Sequence, residues 1–321
     1  MIITVTLNPS IDRAVELDAP LRRGQVQRAV RTRQDPGGKG VNISRALELS
    51  GEPTLAVVPG DSNDPLLTGL DQAGVRYEAV SIGAPLRSNI TVTEPDGTTT
   101  KINEPGPELD SGTVDRIIDQ LISRGAGAQW LVLAGSIPPG PAPNIYAHII
   151  NRVRAGLGSA APRIAVDTSG RPMAEAVSET ADTQPDIIKP NGEELAELLG
   201  RTDGDVLEAD PAAAASAAHA LIERGVRAVL CTLGSNGAVL VTRDGAWHAV
   251  HQPVAVKSTV GAGDSALTGY LIAHVRGESP QNCLRQAVAH GSAAAALPGT
   301  EMPSLDHTTP QAVTVTALQL T

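Results

Sequence analysis

One stretch late in the chain combines residue types that could take part in moving a phosphate group. It is Gly261-Ala262-Gly263-Asp264, between a β-rich run (247–256) and a predicted helix (266–275). The glycines let the backbone turn tightly and leave N–H groups free at the positive end of the helix, where phosphate binds well. A carboxylate there would repel a resting phosphate, but it makes sense as a proton acceptor beside a phosphate in transfer. We therefore interpret the stretch as a phosphoryl-transfer centre.

Two other interpretations of this stretch are open. Its letters also fit the dinucleotide fingerprint G-x-G-x-x-A, but that fingerprint normally follows the first strand of a βαβ unit, and this one lies late in the chain. A structural turn with no chemistry is the other alternative.

A second glycine-rich loop, at 34–42, contains Gly37, Gly38, Lys39, Gly40 and Asn42 ahead of a predicted helix over 41–49. It is not a P-loop, because the spacing before the lysine is wrong and glycine stands where Ser or Thr is needed. Three glycines, a lysine and an asparagine at a helix start still suit a sugar that bears a phosphate. The alternative is a flexible surface turn.

Asp12 follows a predicted buried strand over 2–7, in a turn just past its carboxyl end. Ligands of open α/β sheets sit at that edge. Asp12 is therefore a candidate ligand-binding carboxylate, and the alternative is an acid that only stabilises the turn.

Composition narrows the function classes. The 321 residues carry a formal net charge of −10, which argues against a nucleic-acid partner, so a few local cations must hold any anionic substrate. Phe is absent and aromatic residues are 2%, so an adenine pocket would be mainly aliphatic. Cys231 and Cys283 have no metal spacing and are predicted to be free thiols in a reducing compartment. The first seven residues suit a strand better than a signal peptide, and no run is long enough to span a membrane, so we expect a cytoplasmic protein.

The order of predicted elements indicates the fold class. Strands alternate with helices along most of the chain, which predicts an α/β fold with a doubly wound, mostly parallel sheet flanked by helices. Residues 87–93 and 98–102 alternate strictly around Glu94-Pro95-Asp96-Gly97 and predict a hairpin outside the main sheet. We expect a single domain over 1–321, with small β-lid segments at approximately 12–34 and 86–104. Residues 202–210 are predicted to be a linker, and the Pro/Thr-rich tail after Leu297 a surface extension.

The two glycine loops together resemble the paired signatures of the PfkB (ribokinase-like) sugar kinases, and the resemblance spans almost the whole chain. Gly37-Gly38-Lys39-Gly40-Val41-Asn42 resembles the N-terminal signature, and Thr259-Val260-Gly261-Ala262-Gly263-Asp264 the C-terminal one. Lys189-Pro190-Asn191-Gly192-Glu193-Glu194 resembles the family's N-x-x-E element.

Three further segments resemble the hexose-phosphate branch of that family, especially its enzymes for fructose 1-phosphate. They are Asn8-Pro9-Ser10-Ile11-Asp12, Asn103-Glu104-Pro105-Gly106 and Ala134-Gly135-Ser136-Ile137-Pro138-Pro139-Gly140. The resemblance implies ATP-dependent phosphorylation of that sugar. Tagatose 6-phosphate and fructose 6-phosphate are alternative acceptors, and a non-catalytic sugar-phosphate sensor is the alternative of another class.

The resemblance also implies a role for each matched residue. Asp264 would be the general base, and the N–H groups of Gly261, Ala262 and Gly263 would stabilise the transferring phosphoryl group. Asn191 and Glu194 would hold Mg²⁺ through water. The residues implied on the nucleotide side are Lys189, Thr232, Gly234, Ser235 and Gly237. Those implied for the acceptor are Asp12, Gly38, Lys39, Asn42, Arg87, Lys101 and Ser136. Lid flaps in this family often pair between subunits, so a homodimer is expected.

Overall fold

The computed structural model describes residues 1–178 and 184–320, and two sheets organise them. The strands are β1 (Ile2–Val5), β2 (Ser10–Glu16), β3 (Arg31–Gly37), β4 (Thr54–Pro59), β5 (Tyr77–Val80), β6 (Arg87–Thr93), β7 (Thr99–Asn103), β8 (Trp130–Ala134), β9 (Arg163–Asp167), β10 (Ile187–Ile188), β11 (Ala228–Thr232), β12 (Ala238–Thr242), β13 (Gly245–His251) and β14 (Val313–Leu318). The helices are α1 (Lys39–Leu49), α2 (Pro65–Gln72), α3 (Ser111–Gly125), α4 (Ile145–Leu157), α5 (Gly170–Ser178), α6 (Gly192–Leu198), α7 (Gly204–Ala209), α8 (Pro211–Glu223), α9 (Ala262–Val275) and α10 (Pro280–Ala296).

The main sheet has ten strands in the order β14-β13-β12-β11-β10-β9-β8-β1-β4-β5. Every pairing from β11 to β5 is parallel, and β12, β13 and β14 extend the sheet antiparallel. Helices α1, α9 and α10 pack on one face, and α3 to α8 on the other. Strands covered on both faces must be apolar throughout, as β8 is. The predicted fold class is confirmed.

The second sheet has four strands in the order β3-β2-β6-β7, and its register decides which side chains share a face. Asp12 on β2 stands opposite Asp35 on β3 and Asn89 on β6, and Asn89 stands opposite Asn103 on β7. Neighbours in register lie on one face of a sheet. One face of this sheet is therefore a polar surface that includes Asp12.

Both glycine-rich loops are shorter than predicted, because each helix begins earlier. Helix α1 begins at Lys39 and α9 at Ala262, instead of at 41 and 266. The residues before them, Gly38 and Gly261, have φ angles of 111° and 75° and turn the chain directly into the helix. Asp264 therefore lies within the first turn of α9.

Asp12 was predicted in a turn past the first strand, and that prediction is wrong. β1 ends at Val5, and Asp12 lies within β2, which pairs with β3 on one side and with β6 on the other. The register depends on pairing partners that are distant in sequence, which local turn chemistry does not reveal.

Two segments predicted to be irregular are structured. The predicted linker at 202–210 contains α7, whose Leu207 is fully buried in the core. The tail after Leu297 is not a surface extension, because Met302 is 4% exposed and β14 pairs with β13 along its length. Strand β5, which the sequence did not predict, closes the other edge of the main sheet. Core packing stabilises α7, and pairing with distant strands stabilises β14 and β5, more than the local composition of these segments does.

The predicted state of the cysteines is confirmed, since Cys231 and Cys283 are buried free thiols. Among the helices that the structure describes, none is long and apolar enough to cross a bilayer.

Candidate active site

Helix α9 begins beside a buried carboxylate. Asp264 is 7% exposed and is the third residue of the helix. A side chain at Gly261 would place its Cβ 2.6 Å from Met302 Cε, so both space and the left-handed backbone favour glycine there. The N–H of Ala262 lies 3.4 Å from the carbonyl oxygen of Thr259, a long contact that engages it only weakly. The start of α9 therefore provides backbone donors next to an acid.

Asp264 contacts the first glycine-rich loop through Asn42. Asn42 Nδ2 donates to Asp264 Oδ2 at 2.9 Å, which joins the start of α9 to α1. Burial, followed by the negative charge of Asp167, raises the pKa of Asp264 to about 6, although Lys39 and Asn42 act in the opposite direction. A carboxylate with that pKa is ionised at neutral pH and still basic enough to accept a proton.

The sequence prediction missed Asp167, which joins two of the predicted lysines. It is fully buried at the end of β9 and accepts a hydrogen bond from Lys39 Nζ at 2.6 Å. Lys189 Nζ lies 3.3 Å from its other carboxylate oxygen. Burial raises the pKa of Asp167, but the two lysines hold it below its ordinary value. An acid at the carboxyl end of an apolar strand was the signal that could have found it.

The two lysines lie close to the start of α9. A Cβ at Gly263 would be 3.2 Å from Lys189 Nζ, so this ammonium group approaches the helix backbone closely. Burial lowers the pKa of Lys39, but Asp167 and then Asp264 hold it above its ordinary value. The two lysines therefore bring positive charge next to these backbone donors, and the buried Asp167 balances part of it.

The second sheet holds Asp12 through residues that the sequence prediction also missed. Ser10 Oγ donates to Asp12 Oδ1 at 2.8 Å and Asn89 Nδ2 donates to the same oxygen at 3.1 Å. Burial raises the pKa of Asp12, and these hydrogen bonds lower it to a smaller extent. A Cβ on Gly37 would overlap the Asp12 carboxyl group, so glycine is needed there for space.

Arg87 and Ser136 converge at the base of this sheet. Arg87 Nη2 donates to the carbonyl oxygen of Asn8 at 3.0 Å and lies 3.5 Å from Ser136 Oγ. Asn8 Nδ2 lies 3.3 Å from the same hydroxyl and 3.0 Å from the carbonyl oxygen of Pro105. Three segments that resemble the hexose-phosphate branch therefore meet here. A guanidinium and a hydroxyl at one point are groups that can donate hydrogen bonds to a phosphate.

Three buried amide oxygens around Asp12 and Asp264 lack hydrogen-bond donors. Within the described residues, Asn8 Oδ1, Asn42 Oδ1 and Asn89 Oδ1 have no partner. Buried polar atoms without partners are costly, so each such atom in a folded protein needs an explanation. A polyhydroxylated ligand would supply the missing donors.

Lys101 does not join this cluster directly. It is exposed on β7 opposite Thr91, one same-face row beyond Asn103 and Asn89. It therefore shares the polar face with Asp12 but projects from a more distant part of the sheet.

The residues predicted for the nucleotide lie around the end of β11. Thr232 ends that strand and bridges Asn191, and Gly234 and Gly237 have φ angles of 54° and 83°. Gly234 and Ser235 are exposed. These two exposed residues therefore lie at the same carboxyl edge of the sheet as Asp167.

Asn191 and Glu194 cap the start of α6. Asn191 Oδ1 accepts from the N–H of Glu194 at 2.7 Å, and Glu194 Oε2 accepts from the N–H of Asn191 at 2.9 Å. In the described part of the chain no three His, Cys, Asp or Glu side chains are grouped to hold a metal ion. A Mg²⁺ ion therefore fits here only with most of its ligands coming from water and phosphate, which is a common arrangement for this ion.

The fold and this cluster of groups are those of a carbohydrate kinase, and comparison with known families gives the same class. Residues 5–307 match the model of the pfkB family of carbohydrate kinases, and the chain belongs to that family. The family resemblance found in the sequence is confirmed.

Individual relatives extend the comparison. The chain is 35% identical over 308 residues to the 1-phosphofructokinase of Haloferax volcanii, covering 95% of this chain and 94% of the relative. It is 34% identical over 309 residues to the ATP-dependent 6-phosphofructokinase isozyme 2 of Mycobacterium tuberculosis, covering 93% and 85%. A crystal structure of phosphofructokinase-2 from Escherichia coli in complex with substrates and products is similar with a TM-score of 0.85 at 28% identity, over 97% of both chains.

Proposed function

We propose that this chain transfers the γ-phosphate of ATP to fructose 1-phosphate and so acts as a 1-phosphofructokinase. The observation that carries the proposal is the 2.9 Å contact between Asn42 and Asp264, which joins a basic carboxylate at a helix start to the predicted sugar loop. The relative from Haloferax volcanii supports the choice of acceptor. The 6-phosphofructokinase of Mycobacterium tuberculosis supports fructose 6-phosphate as a second candidate. Tagatose 6-phosphate is the third acceptor to test.

In the proposed reaction, Asp264 accepts the proton of the acceptor hydroxyl as its oxygen attacks the γ-phosphorus, and ADP leaves. The N–H groups of Gly261, Ala262 and Gly263 stabilise the charge on the transferring group, with Gly261 and Gly263 contributing more because Ala262 is already in weak contact with Thr259. Lys189 and Lys39 add positive charge to the same place. A positioned base contributes about 10²- to 10⁴-fold to the rate.

The acceptor is proposed to lie between the second sheet and α1. Asp12, Asn42 and the backbone of Gly38 bind its hydroxyls, and the unpartnered oxygens of Asn8 and Asn89 support this. Its phosphate contacts a set of cations and one hydroxyl: Lys39, Arg87, Lys101 and Ser136. Lys101 reaches the sugar only from the outer part of the sheet, so its contribution is the smallest of these.

ATP is proposed to lie along Lys189, Thr232, Gly234, Ser235 and Gly237. Glu194 retains one carboxylate oxygen outside its helix-capping contact, and with Asn191 it would hold Mg²⁺ through water. The ion would neutralise charge on the phosphates.

We further propose that the four-stranded sheet is the lid of a single kinase domain and pairs with the lid of a second copy. Its face away from Asp12 carries Val15, Ile90, Val92 and Ile102, and Ile102 is 56% exposed. Light scattering tests the pairing by measuring the mass in solution of two variants. Ile102→Asp alters the proposed contact face, and Thr99→Asp is the control on the face that carries Asp12. A shift to monomer only in the first variant supports it, and a monomeric parent protein contradicts it.

ADP release with magnesium-ATP over the three sugar phosphates tests the activity. We expect the highest kcat/KM with fructose 1-phosphate. Preference for a 6-phosphate overturns the choice of acceptor. No release with any sugar phosphate, together with saturable binding of one of them, indicates a sensor instead of an enzyme.

A further inference from the structure

A cleft of about 720 Å³ opens at the edge of the main sheet opposite the candidate active site. Trp130, Arg163 and Ala228, the first residues of β8, β9 and β11, line it. Asp167 and Thr232, at the other ends of β9 and β11, belong to the candidate active site. The proposed kinase reaction therefore does not use this region, which we call the amino-edge cleft.

Among the residues that the structure describes, two of the three arginines that line the amino-edge cleft have no carboxylate partner. Arg227 pairs with Asp186 at 2.9 Å. Within the described residues, the Arg163 side chain makes hydrogen bonds only with the imidazole of His274, and Arg243 makes no ion pair or side-chain hydrogen bond. The acids Asp186, Asp244 and Glu278 also line the cleft. Asp186 is already paired twice, with Arg154 and Arg227, so its charge is balanced locally.

The contacts of His274 leave one hydrogen-bond donor too many. Trp130 Nε1 lies 3.3 Å from His274 Nδ1, and Arg163 Nη1 lies 3.0 Å from His274 Nε2. Both neighbours are donors only, and a neutral imidazole has a single acceptor nitrogen. If Nδ1 accepts from Trp130, the proton on Nε2 faces the N–H of Arg163. Protonation of the ring would remove its one acceptor nitrogen, so it would not resolve the conflict. Burial, followed by the charge of Arg163, also lowers the pKa of His274 and disfavours that protonated form.

We propose that the amino-edge cleft binds a phosphate group that lies across the adjacent donors of Arg163 and His274. One phosphate oxygen would accept from His274 Nε2 and another from the guanidinium, which satisfies both donors at once. Arg243, at the turn between β12 and β13, adds a second unpaired cation. A doubly charged phosphate is attracted more strongly by two cations than a singly charged carboxylate is. The ligand class is therefore inorganic phosphate or a small phosphate monoester.

The site is separate from the proposed active site but lies on shared elements. His274 is near the end of α9, whose first turn contains Asp264, and Arg163 begins β9, which ends at Asp167. Binding in the amino-edge cleft is nevertheless independent of the kinase proposal, and failure of either leaves the other intact.

The chain contains two tryptophans, so Trp247→Phe leaves Trp130 as the only one. The rings of Trp130 and His274 lie 5.0 Å apart, so a change at His274 should alter Trp130 emission. We expect titration with inorganic phosphate, at ionic strength held constant with chloride, to change the emission saturably. Calorimetry on the same protein detects binding that leaves the emission unchanged.

Variants in the Trp247→Phe background locate the binding. Arg163→Met should raise the Kd for phosphate about tenfold, because it removes a charge-assisted hydrogen bond. Arg152→Met is the matched control, since Arg152 of α4 pairs with Asp115 and its side chain is 42% exposed, and the Kd for phosphate should not change. Arg87→Ala should also leave the emission titration unchanged. The proposal is overturned if no saturable binding is seen by either method, if Arg163→Met has no effect, or if Arg87→Ala abolishes the signal.

Discussion

Asn42 and Asp264 are 222 positions apart in the chain, and the amide of one donates a 2.9 Å hydrogen bond to the carboxylate of the other. The contact joins the two glycine-rich loops. It also fixes one oxygen of Asp264, so the other oxygen is the one available to accept a proton.

Replacement of Asp264 by Asn tests the base directly. We expect kcat to fall about 10²- to 10⁴-fold while the Kd for ATP changes little, because the amide keeps the shape and loses the basic oxygen. Steady-state kinetics and calorimetry measure the two quantities. A loss of only a few fold would mean that another group accepts the proton.

The pH dependence of kcat/KM should report the same carboxylate. Asp264 must be ionised to act, and its pKa is raised to about 6, so kcat/KM should fall as the pH decreases through about 6. Asn42→Ala removes a hydrogen bond that favours the ionised form of Asp264. The midpoint of the kcat/KM pH profile should therefore lie at a higher pH in this variant than in the parent protein. Sugar phosphates also titrate near pH 6, with a second pKa of about 6. The parent protein and Asn42→Ala are therefore compared with the same substrates. Equal midpoints of the two pH profiles would contradict the assignment of this titration to Asp264.

Asp167→Asn should move the midpoint of the kcat/KM pH profile to lower pH, opposite to the effect of Asn42→Ala. The charge of Asp167 raises the pKa of Asp264, so its removal should lower the midpoint. It also leaves Lys39 and Lys189 without their shared buried partner, and the free energy of unfolding should fall by about 3 kcal/mol. Urea unfolding measures the stability change. Asp115→Asn, which removes a surface partner of Arg152, is the control and should have little effect.

Arg87→Ala should act on the acceptor far more than on the nucleotide. Arg87 converges with Ser136, so its loss should raise the KM for the sugar phosphate about tenfold or more and leave the KM for ATP nearly unchanged. Lys101→Ala, in the outer part of the lid, should have a smaller effect. Equal increases in both KM values for Arg87→Ala would remove Arg87 from the acceptor site.

Gly37→Ala tests the packing behind Asp12. The added Cβ would overlap the Asp12 carboxyl group, so that side chain must move away from Ser10 and Asn89. We expect a higher KM for the sugar and an unchanged Kd for ATP. Gly24→Ala, at a lid glycine with no atom within 4 Å of the added Cβ, is a control for steric overlap, although its φ of 78° adds backbone strain. A Gly37→Ala variant with the parent KM would show that Asp12 does not contact the sugar.

The amino-acid sequence by itself determined the fold class, the two glycine-rich loops and the acid at Asp264. These features depend on local signals, namely hydrophobic period, glycine spacing and residue type. The tertiary structure alone decided that Asp12 lies on a strand, that Asp167 joins Lys39 to Lys189, and that the tail after Leu297 contributes β14. Each of these depends on pairing between residues far apart in the chain, and such pairing leaves little trace in any short window of sequence.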